Sequence, residues 1–301
     1  MVKVIVDFSQ LLYKIYFVKI QNEIVEGNAN WNFWKYLILN SLKNYISTFM
    51  PDELILACDS AYCWRKNFYK GYKGARIHSK NQCDELFPRI DDFIEELKRI
   101  FPFKVVKVEE SEADDIIGVL SFNKNKDDIF YIISTDKDFI PLIKYNNVKI
   151  YNPILESFVA TEFPFEIKKV TFESIDEFKN YLIFVGDSGD SVPNIFNSGE
   201  EERAKPFGPV KFKKLYKEGL DKWVELQSEV IKNNIERNKK LVLLDKEQIP
   251  EYIQEKIMKE YNNINVSFKK EEIEEYFRLT EMESFYGKSN EFNPKSYKIF
   301  F

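Results

Sequence analysis

The chain of 301 residues is 44% hydrophobic and 31% charged. This excludes disorder or a coiled coil as the main architecture and leaves room for one large α/β domain or two moderate ones. Its 49 acidic and 44 basic residues give a formal charge of −5, which taken alone speaks mildly against a nucleic-acid partner.

No stretch approaches the roughly 18 uncharged apolar residues of a membrane span. The opening MVKVIVDFSQ carries Asp7 and no small-residue cleavage site, so it does not read as a signal peptide. An odd number of cysteines, three, makes no disulfide framework and points to a reducing, cytoplasmic setting. The single histidine, His78, removes most imidazole-based chemistry.

In chain order, residues 2–6 read as a short buried strand ended by Asp7, with Ser9 placed to cap a helix over residues 11–20. A second helix is expected over 32–49, then a strand over 53–58 ended by Asp59. Residues 62–83 are basic and aromatic without a clean period. Ile90, Phe93, Ile94 and Leu97 define one face of a helix over 84–100. A strand follows at 103–108, and Ser111 opens a helix over residues 112–120. Residues 129–134 form an apolar strand that leads into Thr135-Asp136-Lys137-Asp138, and 148–152 and 157–160 suit a late hairpin or edge strands. Strands that alternate with helices imply βαβ units and a mostly parallel sheet. From about residue 165 the strand signal fades. Helices are expected at 174–184, 208–217, 221–236, 250–260 and 270–278, with a long loop at 196–206 and no clear element in 287–301.

Nine acids fall in five short groups: Asp7; Asp59; Glu112, Asp114 and Asp115; Asp136 and Asp138; Asp187 and Asp190. Asp7, Asp59 and Asp136 each follow a predicted strand, and Glu112 lies just past a fourth. In an open parallel sheet those ends share one edge, where ligands bind. Singly, each acid suits a turn or a helix start. Together they would repel one another without cations. Oxygen ligands with no His or Cys supply suit Mg²⁺, or Mn²⁺ in its place, rather than zinc. Two such ions about 4 Å apart can hold the attacking and leaving oxygens of a phosphodiester without a histidine base. With the nine acids set aside, basic residues outnumber acidic ones, so a polyanionic substrate is not excluded. A zinc site from Cys58, Cys63, His78 and Cys83 lacks the usual paired spacing.

Residues 64–80 hold Arg65, Lys66, Lys70, Lys73, Arg76 and Lys80 with no acid among them, interleaved with Trp64, Phe68, Tyr69 and Tyr72. Cations contact phosphates and aromatic rings stack on unpaired bases, so this segment suits a strand-gripping loop. A solvated basic loop is the alternative.

These pieces together resemble the structure-specific 5′ nucleases, the flap-endonuclease and 5′→3′ exonuclease superfamily. The matching motifs are Asp7, Asp59, Tyr72-Lys73-x-x-Arg76, Glu112-Ala-Asp-Asp115, Ser134-Thr-Asp136-Lys-Asp138 and Gly186-Asp187-x-x-Asp190, in family order across residues 1–195. Gly208-Pro-Val-Lys211-x-x-Lys-Leu215 is similar to a second helix–hairpin–helix turn. Residues 236–261 are similar to the helical C-terminal part of small phage members.

The resemblance implies a PIN-like α/β domain over residues 1–165 with helices on both sheet faces and an arch at 62–83. Residues 166–301 would form a helical part with a helix–three-turn–helix motif. It implies a Mg²⁺-dependent 5′→3′ exonuclease or flap endonuclease that acts on RNA–DNA hybrids and DNA duplexes by a two-metal mechanism and removes RNA primers. Asp7, Asp59, Glu112 and Asp114 would serve one ion, Asp136, Asp138, Asp187 and Asp190 the other, with Asp115 between them. Lys73 and Arg76 would act on the scissile phosphate. Arg65, Lys66, Lys70, Tyr72, Lys80, Lys211, Lys213 and Lys214 would grip nucleic acid. The chain would be monomeric, without membrane contact, and would meet a single-strand-binding protein or sliding clamp.

Family members often bind a potassium ion at the carbonyls of the helix–hairpin–helix turn. Here Ser191 stands where the family has Asn, and Asn194 where it has Gly; Asn enters the left-handed region less readily than Gly. A haloacid-dehalogenase phosphatase would need Asp where Ser9 stands. A minimal PIN-type ribonuclease and a non-catalytic nucleic-acid-binding relative are the alternatives that remain.

Overall fold

The computed structural model describes residues 1–20, 30–74, 85–167, 169–198 and 205–296. Six strands form one sheet in the order β3-β2-β1-β4-β5-β6. They are β1 (Val2–Asp7), β2 (Glu53–Cys58), β3 (Lys104–Lys107), β4 (Ile129–Ile133), β5 (Val148–Asn152) and β6 (Ser157–Val159). The first five run parallel, and β6 returns antiparallel as the edge of a hairpin with β5. Beyond β3 the order turns back across β1 to β4. Asp7, at the end of β1, thus lies at the topological switch point, where open α/β sheets place their ligands.

Strands buried on both faces read as unbroken apolar runs, which is why VKVIV and ELILAC look as they do. Val4, Val6, Leu54 and Leu56 enter one core. Their neighbours Ile5, Ile55 and Ala57 enter the other. On the first face pack α1 (Phe8–Ile15), α2 (Trp31–Phe49), α4 (Leu86–Ile100) and α10 (Lys270–Leu279). On the second pack α5 (Ala113–Phe122), α6 (Ile175–Val185), α7 (Pro209–Glu225), α8 (Glu229–Val242) and α9 (Glu251–Asn263). The short α3 (Trp64–Phe68) sits beyond the end of β2. Among the described residues no helix is long and apolar enough to cross a membrane.

Several local expectations change. Asp7, not Ser9, caps α1, by accepting the Gln10 amide at 3.1 Å. Ser9 instead accepts the Asp59 amide at 2.9 Å and so ties β2 to α1. The helix gives way to a π turn at Tyr16–Ile20. Glu112, not Ser111, caps α5, in a capping box with Asp115. The strand signal does not end at 165, because β7 (Phe165–Ile167) and β8 (Val170–Phe172) pair antiparallel. Three-residue strands are too short to show alternation. The helix expected over 221–236 breaks at Leu226–Ser228, and a kink falls at Gly219. The tail is not featureless: 3₁₀ turns at Glu283–Phe285 and Ser289–Phe292 bury Phe285 and Phe292 against the first core. Residues 297–301 lie outside the described residues.

The turn after α6 depends on Gly186. Its φ is +72°, and a Cβ there would lie 2.4 Å from the Val192 carbonyl oxygen. Gly186→Ala should therefore destabilise the protein by about 2–4 kcal/mol. Urea denaturation checks this, and a change below about 0.5 kcal/mol would show that the turn relaxes freely.

Candidate metal centre

The edge formed by the C-terminal ends of the parallel strands gathers the acids from distant stretches. Asp7 ends β1, and its Oδ2 accepts the Ser134 hydroxyl at 3.1 Å. Gln10, one turn into α1, accepts both the amide and the hydroxyl of Thr135 at 2.8 and 3.0 Å through Oε1. The loop after β4 is thereby sewn to the start of α1. Asp59 follows β2, and its Oδ1 accepts the Ala113 amide at 2.8 Å. That anion at the first turn of α5 is favoured by the helix dipole.

Asp136 caps the 3₁₀ turn Lys137–Lys144, and its Oδ1 accepts the Asp138 amide at 2.9 Å. The chain turns here rather than continuing β4. Asp136 and Asp138 remain close enough for their charges to interact. Asp187 folds back on its own loop, accepting the Gly189 amide at 2.8 Å. Asp190 accepts the Tyr72 hydroxyl at 2.9 Å. A cleft is lined by Asp114, Asp138, Asp187, Asp190, Arg65 and Tyr72.

The electrostatics follow from this crowding. Burial first, then the Asp59 charge, pushes the Asp7 carboxyl up to about 7 against the bonds from Gln10 and Ser134. Burial and Asp136 push Asp138 up to about 7, although Lys137 pairs with it at 2.8 Å. Asp114 is raised by burial and by Asp7 and Asp136. Asp59 is raised by burial, with Lys73 opposing and Glu112 adding. Glu112 goes the other way: burial opposes its charge, but Lys73 and Arg65 hold it down at about 2.

Two cations hold the acids together. Lys73 bonds Glu112 and lies 3.7 Å from Asp190, and its own amide donates to the Asp190 carbonyl at 2.8 Å. Arg65 is 1% exposed. Its guanidinium meets Glu112 at 3.0 Å and Asp115 at 2.8 Å, while Nε donates to the Leu241 carbonyl at 3.1 Å.

These positions correct parts of the sequence reading. Arg65, on α3, is buried and commits its guanidinium to Glu112, Asp115 and the Leu241 carbonyl rather than to a phosphate. Tyr72 is 3% exposed, and its hydroxyl lies between Glu112 at 3.0 Å and Asp190 at 2.9 Å with one proton to share, so its ring is not offered to a base. Asp115 is fully buried and faces Arg65 and the Trp64 indole N–H, away from the other acids' cleft. Lys213 is drawn to Glu177 at 2.5 Å. Lys66, Lys70, Lys211 and Lys214 keep exposed or half-exposed positions. Arg76, Lys80, His78 and Cys83 lie outside the described residues, as do all of residues 75–83 of the expected arch.

Sequence reasoning did not single out Gln10, or Ser134 as a partner of Asp7. A polar pair flanking two strand-end acids was the available signal. Among the described residues no three Asp, Glu, His or Cys side chains are gathered ready to hold a metal ion. The acids are spread over two adjoining groups, with Lys73 reaching across from one to the other. The donor set still suits a hard cation. It is all oxygen, and the raised carboxyls Asp7, Asp114 and Asp138 are groups that added positive charge would relieve.

Comparison with known proteins found the following likenesses. The family described as 5′-3′ exonuclease, N-terminal resolvase-like domain, matches residues 3–174. Ribonuclease H of Enterobacteria phage T4 is 30% identical over 277 residues, which is 86% of each chain. A 5′-3′ exonuclease of Buchnera aphidicola (subsp. Schizaphis graminum) is 30% identical over 198 residues, 64% of each chain. DNA polymerase I of Bacillus subtilis is 26% identical over 252 residues, covering 81% of this chain but 27% of the polymerase. Among solved structures, the phage T5 5′-exonuclease with bound zinc superposes with a TM-score of 0.66 at 18% identity, covering 88% of this chain and 99% of that one. A T5 flap endonuclease complex with DNA and metal ions gives 0.64 at 16% identity, with the same coverage.

A carboxyl with a raised folded value keeps its proton in the folded protein after the unfolded chain has lost it. Asp7 and Asp138 therefore make folding less favourable as pH rises from about 4 to about 7. Chelator-treated protein should lose stability across that window. Asp7→Asn should flatten the loss and add about 1–3 kcal/mol at pH 8. Urea denaturation at pH 5 and pH 8 measures both, and an unchanged pH slope in the variant would refute the assignment.

Proposed function

Because the chain belongs to the 5′-3′ exonuclease family, we propose that it is a Mg²⁺-dependent 5′ nuclease. It would hydrolyse phosphodiesters at the 5′ ends of RNA–DNA hybrids, flaps and duplexes, and so remove RNA primers. The observation that carries this reading is the convergence of acids from four strand ends and the 186–190 turn on one edge, with four carboxyls raised by burial and mutual repulsion. In this reading Asp7, Asp59, Glu112 and Asp114 hold one ion, and Asp136, Asp138, Asp187 and Asp190 hold a second. Two bound divalent ions would supply a water deprotonated near neutral pH and neutralise charge on the phosphate.

The chain's own residues prepare that site. Ser134, held next to Gln10, fixes one oxygen of Asp7 and leaves the other at the helix cap. Arg65 fixes the orientation of Glu112 from behind. Lys73 serves as the mobile cation: its ammonium, borne on a flexible stem, can pass from Glu112 and Asp190 to a scissile phosphate. Lys66, Lys70, Lys211 and Lys214 provide phosphate contacts that position the substrate. Asp115, bound to Arg65 and Trp64, acts as a support for Glu112 and not as a group between ions.

The test is cleavage of a 5′-labelled nicked-flap duplex beside an RNA–DNA hybrid, with Mg²⁺ and with EDTA. Short 5′ products should appear with Mg²⁺ alone, and their rates rank the substrates. Tight binding without cleavage in Mg²⁺ or Mn²⁺ would favour a non-catalytic binding role. Asp136→Asn should lower kcat by about a hundredfold or more while leaving duplex affinity within about threefold. Unchanged turnover would remove Asp136 from the ion-binding set.

A further inference from the structure

The turn after α6 carries a cation of its own. Arg237, on α8, spends all five N–H groups on it and its supports. Nη1 donates to the Ser198 carbonyl at 2.8 Å and to Asn234 Oδ1 at 3.0 Å. Nη2 donates to the carbonyls of Pro193 at 3.3 Å and Asn197 at 3.2 Å, and Nε donates to Asn238 Oδ1 at 3.0 Å. Asn238, fully buried, reaches past it to the carbonyls of Ile183 and Pro193, each at 2.8 Å. Asn234 takes the Ile195 carbonyl at 2.9 Å. The Tyr69 ring, at the base of the segment after α3, lies 5.4 Å from the guanidinium.

A potassium ion needs several carbonyl oxygens of one turn aimed at a common point. Here the carbonyls of Pro193, Ile195, Asn197 and Ser198 already accept side-chain donors, and Asn194 accepts the Asn197 amide at 3.1 Å. The backbone does not reproduce a glycine turn either. Ser191 takes the left-handed conformation (φ 58°), and Asn194 does not; its side chain instead clips Lys205 and Phe196. The potassium ion that the resemblance implies does not fit this turn.

We propose that Arg237 is the resident cation of the 193–198 turn. It gives these carbonyls a fixed positive charge that a monovalent ion would otherwise supply, and it locks the turn to α8 and to the ring of Tyr69. Unlike an ion, it is covalently held and cannot be diluted away. Taken with the nuclease reading above, on which this clause rests, the chain's hold on duplex nucleic acid is indifferent to the identity of the monovalent cation.

Hydrogen–deuterium exchange of the segment 186–198 in matched KCl, NaCl and tetramethylammonium chloride tests the proposal without nucleic acid. Protection in the unmodified chain should be equal in the three salts. Arg237→Ala should exchange there about tenfold faster or more, because charge-assisted bonds are lost. Millimolar methylguanidinium should restore part of the protection, which it would not do for a general packing defect. Arg237→Lys, which keeps the charge without the planar fork, should restore less than half. Higher protection of the unmodified turn in KCl than in NaCl would overturn the proposal. So would unchanged exchange in Arg237→Ala. If the alanine variant fails to fold, the three-salt comparison on the unmodified chain still decides. Binding to a nicked duplex at constant ionic strength should vary less than twofold between K⁺ and Na⁺. Absence of binding in every salt would defeat the nuclease reading while leaving the exchange result to judge Arg237.

Discussion

Mutual repulsion among the acids at one sheet edge is the constraint around which this molecule is organised. Parallel strands bring their C-terminal ends to one side whatever those ends carry, and here they carry Asp7, Asp59 and Asp136, with Glu112 and Asp114 one loop beyond. The protein meets the resulting charge with cations of three kinds. Arg65 is sealed inside and serves Glu112 and Asp115 permanently. Lys137 covers Asp138 from the adjacent position. Lys73 sits at the cleft with a flexible stem and spans Glu112 and Asp190. The raised carboxyls, Asp7, Asp59, Asp114 and Asp138, mark where further positive charge is most needed.

The acids were legible in the sequence because their signal is local. An apolar run followed by Asp states both a strand and the position of its end, and this held for Asp7 and Asp59. The mostly parallel sheet and the late β5–β6 hairpin followed from the same reading; the strand order did not, because long-range pairing sets it. The basic, aromatic stretch at 64–73 was legible only in part. Nothing in WRKNFYKGYK distinguishes an Arg that faces solvent from one that turns inward. That choice is made by Glu112 and Asp115, far along the chain, and by the Leu241 carbonyl. Capping was misassigned at Ser9 and Ser111 for a related reason: each lies beside a better-placed carboxylate, and Ser9 is taken instead by the amide of Asp59. The strands at 165–172 were invisible because three residues cannot declare a period.

Helix α8 joins two regions that the sequence reading treated separately. Arg237 and Asn238 hold the turn that presents Asp187 and Asp190, and the ring of Tyr69 packs against the same guanidinium. One helical turn on, Lys240 lies 4.9 Å from the Phe68 ring. The segment that carries Lys73 and the turn that carries Asp190 thus share one support. This explains how side chains so distant in sequence keep a fixed separation across the cleft.

The first core closes only with residues from the far end of the chain. Val4, Val6 and Trp34 share it with Ile273, Phe277, Phe285 and Phe292, and Tyr36 packs against Phe285 with ring centroids 4.8 Å apart. Helices α2 and α4 therefore keep part of their apolar faces uncovered until residues 273–292 have been made. Until then those helices display an apolar surface they cannot cover, and closing this layer is a long-range step rather than local helix formation.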